Sequence, residues 1–162
     1  MARYQKKDDL VVDSVHEAAV HYKTSDTILR VASLRPENHL SIAEKISVVK
    51  DGISKKDLLS LKEKSGLDYS ELARALSVTR ATLINKKKNE KFNASLSERI
   101  LDIADLYSFG FEIFGDEASF VQWMDTPNRA LNFQKPVAFI DNQFGRQEVR
   151  NIIGRIAYGV YS

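Results

Sequence analysis

YSELARALSVTRATLINKKK, residues 69–88, reads as two short helices joined by a tight turn. Leu72, Ala73 and Leu76 fall on one side of the first helix at i, i+1 and i+4, which makes that side the buried one. Ala73 is small where two helices would cross closely, Ser77 occupies the turn where a glycine would enter a left-handed conformation most easily, and Val78 is the turn's apolar residue. Thr79 is placed to cap the second helix. That helix buries Leu83 and leaves Arg80, Ala81, Ile84, Asn85 and Lys88 on its other face, with Lys86 and Lys87 beside it. The pattern predicts a helix-turn-helix whose second helix lies in the DNA major groove.

The side chains on offer suit that geometry. Thr79, Arg80, Thr82, Ile84, Asn85, Lys86, Lys87 and Lys88 are the candidate DNA-contacting residues. An asparagine such as Asn85 pairs bidentately with adenine, Arg80 reaches guanine or a phosphate, Ile84 meets a thymine methyl, and the lysines neutralise phosphates. A lysine run is also what a solvated helix end carries, because cations favour the negative pole of the helix dipole. Apolar spacing, cap and basic face together favour the DNA reading.

With 24 Lys and Arg against 22 Asp and Glu in 162 residues, net charge is close to zero, so affinity for nucleic acid has to come from a local patch. The chain has no cysteine, which excludes disulfides, thiolate metal sites and a cysteine nucleophile, and agrees with a reducing cytoplasm. No stretch approaches the roughly 20 apolar residues that span a bilayer, and the opening MARYQKKDD lacks an apolar signal core. A cytoplasmic protein without membrane attachment is expected.

Around the central motif the chain reads as all-α, in three parts: a variable, partly flexible leader over 1–40, a helix-turn-helix domain over 41–94, and a small helical domain with a tail over 95–162. Within the leader, residues 10–20 have a helical apolar spacing, and Arg35-Pro36 marks its boundary. Ser41 with Glu44 and Ser54 with Asp57 predict capped helices that stop at Gly52 and Gly66 and brace the motif. Ser95 or Ser97 opens a long helix apolar on more than one face, so it is either central in its domain or shared with a second chain. Gly115-Asp116 breaks it, and a short helix carries Phe120, Val121 and Trp123. Thr126-Pro127 reads as a cap with proline in the first helical position, Asn132 as a left-handed stop, and Lys135-Pro136 as the start of another turn. Asn142 to Gly145 reads as a turn, after which Val149, Ile152, Ile153 and Ile156 stripe a last helix ended by Gly159.

The closing order is distinctive: Trp123, Pro127-Asn128, Ala130-Leu131, Lys135-Pro136, Gly145 with Val149, then Arg155-Ile156 and Tyr158-Gly159-Val160. In this order residues 119–162 resemble the toxin-binding domain of Xre-type antitoxins from RES-Xre toxin-antitoxin systems. Upstream, Asp51-Gly52-Ile53, Leu72-Ala73, Thr79, Thr82-Leu83, Ser97 and Arg99 are similar to the same family. The chain departs from it with Asn85-Lys86-Lys87-Lys88 where arginines are usual, with Ser77 for the turn glycine, and with Asn132-Phe133 where a glycine often ends the short helix. The resemblance implies an antitoxin that neutralises an NAD-consuming RES-type toxin by occluding its active site with the C-terminal part, and that represses its own operon at operator DNA.

Arg150, Arg155, Tyr158, Gly159, Val160, Tyr161 and Ser162 are the candidate toxin-binding residues. Arginines near an apolar-faced helix, with an aromatic tip of Tyr158 and Tyr161 at a flexible glycine, suit entry into a pocket on another protein. The alternative is that Tyr158 and Val160 fold back on their own domain as a glycine-cap contact. Trp123 reads as core and Asn128 as a backbone-holding residue. Carboxylates such as Asp102, Asp105, Asp116 and Glu117 are coupled to no histidine or nucleophile, and GFEIFG over 110–115 lacks the glycine spacing of a dinucleotide loop. No enzyme activity, cofactor or metal is therefore expected, and a repressor with no toxin partner is the nearer rival. Palindromic operators call for a homodimer, expected to use the apolar surface of the long helix over 97–114.

Overall fold

The computed structural model describes residues 27–29, 31 and 35–159, and within them every regular element is helical; pairing between extended segments is confined to isolated bridges. The helix expected over 10–20, together with His16, His21, Val160, Tyr161 and Ser162, lies outside the described residues.

Ile42–Asp51 (α1) and Lys55–Ser65 (α2) begin with the two capping boxes expected of them: Ser41 and Ser54 each accept from the backbone N–H three residues on, and Glu44 and Asp57 reciprocate. Gly52 and Gly66 end these helices with positive φ, as read. The next helix, Tyr69–Ala75 (α3), is capped by Asp68, whose carboxylate accepts from the amides of Ser70 and Glu71. Those bonds, the Glu71 amide first, hold its pKa below the usual carboxylate range.

Arg80–Ile84 (α4) is only five residues long. Ala94–Phe114 (α5) runs for 21 residues, followed by Glu117–Met124 (α6) and Gln143–Ala157 (α7), with short 3-10 turns at Glu37–His39, Arg129–Leu131 and Pro136–Phe139.

α5 is the axis of the molecule, with α1, α6, α7 and the turn Glu37–His39 all packed against it. Ile100, Leu101, Ile103, Ala104, Leu106, Tyr107 and Phe111 are all buried. The breadth of its apolar surface is thus explained inside one chain. This corrects the expectation that α5 supplies a dimer interface, because the surface is already covered. Its N-cap is Asn93 and neither of the serines; Ser97 is buried, accepting from the Ile53 amide at 2.9 Å and donating to the Phe92 carbonyl.

Between α5 and α6, Phe120 sits fully buried with Tyr107, Phe111, Phe114 and Trp123 around it at ring-centroid distances of 5.3 to 5.8 Å. Most of these meet edge to face, the arrangement that aromatic quadrupoles favour. Gly110 makes the space, since a Cβ there would stand 2.3 Å from the Phe120 ring. Trp123 is a half-buried core residue and Asn128 holds backbone, accepting from the Ala130 amide at 2.9 Å.

The packed body begins before residue 41. Ile28 and Leu29 are buried, and the buried carboxylate of Glu37 accepts from the Leu29 amide at 2.6 Å. Burial raises that carboxyl's pKa above its ordinary value, partly opposed by the Leu29 hydrogen bond.

Candidate functional site

The turn between α3 and α4 is built as the sequence predicts. Ser77 takes φ +54, the left-handed conformation a glycine adopts more readily, while its amide donates to the Arg74 carbonyl and that of Val78 to the Ala73 carbonyl. Arg99, reaching from α5, donates to the Leu76 carbonyl at 2.9 Å and fixes the turn from behind. Thr79 then caps α4, its Oγ1 accepting from the Thr82 amide at 3.1 Å.

Leu83 is fully buried, and Thr79, Arg80, Ala81, Thr82, Ile84 and Asn85 are exposed. The candidate reading residues therefore share one open face of a helix anchored by a single leucine. Asn85 is the C-cap, so the three lysines lie beyond the helix and not along its face, as the sequence reading had placed Lys88. They are positioned all the same. The amides of Lys55 and Lys56, at the start of α2, donate to the carbonyls of Glu90 and Lys88 at 3.0 Å, which staples the lysine segment to the helix behind it. Lys87 and Lys88 are exposed, whereas Lys86 is half-buried with its ammonium 5.4 Å from the centre of the Phe92 ring.

Lys55 is the residue this region adds. Its side chain is 6% exposed and its ammonium donates to the carbonyls of Leu83 and Ile84, satisfying acceptors that α4 leaves open at its C-terminal end. A cation there also meets the negative pole of the helix. In the sequence, Lys55 looks like one more solvated charge in a Ser-Lys-Lys-Asp helix start, and only the reach of its ammonium to the end of α4 distinguishes it.

In the last helix the apolar stripe is as read, with Val149, Ile152 and Ile153 buried and Ile156 partly buried, and Gly145 is buried as well. Asn142 caps the helix by accepting from the Gly145 amide at 2.9 Å, so Gly145 lies inside the first turn of α7 and not in a preceding loop. A Cβ at Gly145 would fall 1.9 Å from the Phe139 carbonyl oxygen, and the glycine thereby sets how closely α7 docks. Thr126-Pro127 opens no helix; Asn128 is the N-cap of the 3-10 turn at Arg129–Leu131. Pro136 does begin its turn, and Asn132 is the left-handed stop expected of it, with φ +53.

The two arginines proposed for a partner are not alike. Arg150 turns inward, donating to Asp105 of α5 at 2.8 Å with its guanidinium 5.7 Å from the Phe109 ring centre. Asp105 also takes Lys45 of α1 at 3.1 Å, so one nearly buried carboxylate ties α1, α5 and α7 together. Arg150 is therefore an internal tie, which corrects its place among the outward-facing candidates. Arg146 is held likewise by Asp102 at 2.5 Å. Arg155 remains 40% exposed and pairs with Glu148 on its own helix at 3.3 Å.

Tyr158 is 87% exposed, and Gly159 follows at φ +67. The fold-back alternative fails for Tyr158, whose ring stands clear of its own domain.

Among the described residues no group of His, Asp or Glu is arranged to hold a metal ion, and no helix is long and apolar enough to cross a membrane. A depression of about 920 Å³ between α1, α5 and α7 has Lys45, Asp102, Asp105, Arg146 and Arg150 in its walls, side chains already engaged with one another.

An all-helical set of described residues, with a capped helix-turn-helix over α3 and α4 and a further helical segment from α5 to α7, defines a helix-turn-helix protein with an appended helical domain. Residues 44–105 match the antitoxin Xre-like helix-turn-helix domain, and residues 110–159 match the antitoxin Xre/MbcA/ParS C-terminal toxin-binding domain. With these two domains in this order over most of its length, the chain belongs to the Xre antitoxin family.

An Antitoxin Xre of Yersinia enterocolitica is 26% identical over 119 residues, covering 72% of this chain and 80% of that protein. An Antitoxin Xre of Photorhabdus laumondii is 36% identical over 73 residues, covering 44% of this chain and 49% of that protein. Among solved structures, a chain of the M. tuberculosis MbcT-MbcA toxin-antitoxin complex aligns with a TM-score of 0.46 at 19% identity, over 76% of this chain and all of that one.

Proposed function

We propose that this protein is the antitoxin of a two-gene module, neutralising an NAD-consuming toxin of the RES type by placing the end of α7 and the tail after it in the toxin's active site, and repressing its own operon through α4. The observation that carries the inhibitory half is Tyr158, an almost fully exposed ring at a helix end followed by a left-handed glycine. An aromatic with a half-exposed arginine, Arg155, one helical turn behind it is the kind of anchor that fills a partner's pocket. Gly159, Val160, Tyr161 and Ser162 complete the proposed insert.

In the repressing half, Thr79, Arg80, Thr82, Ile84 and Asn85 face base edges, and Lys86, Lys87 and Lys88 neutralise the flanking phosphates. A palindromic operator would be met by two copies of the chain. With α5 covered, the exposed apolar side chains left for such pairing include Ile42 and Ile46 of α1 and Phe144 of α7.

The test is co-expression with the toxin encoded in the neighbouring reading frame, followed by copurification and an NAD-consumption assay. The full chain is expected to copurify and suppress NAD loss. A chain lacking residues 158–162 should lose protection while keeping operator binding. Full protection by the truncated chain would refute the occluding role of the tail. Operator binding with no effect on any adjacent toxin would favour the plain repressor.

A further inference from the structure

Residues Asn132 and Phe133 hold successive left-handed conformations, φ +53 and φ +61. Asparagine tolerates this region; a bulky aromatic rarely enters it, so Phe133 is a backbone outlier that its surroundings must impose. Those surroundings are well determined. Phe133 donates its amide to the Asn128 carbonyl at 2.9 Å, the Asn128 amide donates to the Gln134 carbonyl at 3.0 Å, and Lys135 pairs with Asp125 at 2.8 Å across the base of the loop. Leu131 plugs the loop into the core.

Among the described residues nothing repays the outlier by packing, since Phe133 is 72% exposed. A glycine would relieve the backbone and remove apolar surface from water at once, which makes a phenylalanine here doubly unfavourable for the isolated protein. Arg129, Asn132, Gln134 and Lys135 around it are all exposed. An aromatic ring on a clamped loop inside a polar rim has the anatomy of an interface anchor, whose rigidity lowers the ordering cost of binding. It also lies within the segment that matches a toxin-binding domain.

We infer that Phe133 is a second anchor on the toxin, separate from the tail, entering an apolar pocket sized for one ring and so setting which toxin this chain accepts. The inference rests on the proposed antitoxin reading and deepens it.

The test measures affinity of the full chain and of Phe133→Gly and Phe133→Asn for the toxin encoded next to it, with thermal melting alongside. Both replacements accept the left-handed backbone, so melting temperature should stay level or rise. Affinity should fall about tenfold or more. Unchanged affinity in both variants, with the wild type binding, overturns the inference and leaves the antitoxin reading intact. Absence of binding by the wild type overturns both. Loss of self-association in light scattering, with toxin affinity unchanged, would assign the ring to a second copy of this chain and overturn the inference as well.

Discussion

Around α4 the cations Arg80, Lys87 and Lys88 stand open to solvent, whereas along α7 Arg146 and Arg150 turn inward onto Asp102 and Asp105. Both regions look alike in sequence, a helix with basic residues opposite an apolar stripe. What separates them is whether an acidic helix lies within reach. α7 packs along α5, whose Asp102 and Asp105 face it, so its charge is used to dock the helix. α4 buries only Leu83; its Arg80 is exposed and feels no more than the charge of Asp68, and the exposed Lys87 and Lys88 lie just beyond its end. Charge on a helix is therefore available to a partner only where no close internal ion pair already holds it.

The sharpest way to break the comparison is Gly145→Ala. Its Cβ would overlap the Phe139 carbonyl, and because the obstacle is backbone, α7 must shift, at a cost of about 3 kcal/mol. Toxin binding should collapse with operator binding preserved, which paired pull-down and gel-shift measurements would show. Equal loss at both ends would mean the regions do not act separately.

Asp105→Ala comes next. It strips Lys45 and Arg150 of their shared carboxylate and should lower unfolding free energy by about 2 kcal/mol, read by urea denaturation. An effect of a few tenths would place these pairs with ordinary surface ion pairs.

Arg80→Ala combined with Lys88→Ala tests the other region without touching stability, both residues being exposed. Operator affinity should fall about tenfold, and the log-log salt slope should lose roughly 0.9 for each phosphate contact removed. An unaltered slope would take both residues off the phosphate list.

The smallest effect expected is from Ser77→Gly. Relief of the left-handed strain at φ +54 should stabilise the turn by about 0.5 kcal/mol, less than the full strain because glycine gains entropy when unfolded. A lower melting temperature would show that the serine side chain contributes something the backbone argument omits.

How much of this could be read in advance followed the range of the forces involved. Caps are local, so Ser41 with Glu44, Ser54 with Asp57, Thr79, and the stops at Gly52, Gly66 and Asn132 were all legible from a few neighbouring residues. Periodicity likewise placed Leu72, Leu76, Leu83 and the α7 stripe in the core. Long-range pairings were not legible: Arg150 was read as outward because Asp105 lies 45 residues away, and the broad apolar face of α5 was offered to a second chain because the segments that cover it, from Glu37–His39 to α7, are far apart in sequence. The early stop of α4 at Ile84 escaped for the same reason, its end being set by Lys55 from another helix. Phe133 was visible as a departure, but its positive φ and exposure were not.

The buried ammonium of Lys55 makes the reading surface inseparable from the rest of the molecule. A five-residue helix is far below the length that persists alone in water, so α4 has no conformation to carry elsewhere. A synthetic peptide of residues 69–88 would be coil and would read nothing. Any variant meant to alter what the proposed DNA face of α4 recognises therefore has to be made on the intact body, with Lys55 left in place, because no shorter piece of it would hold that face in shape.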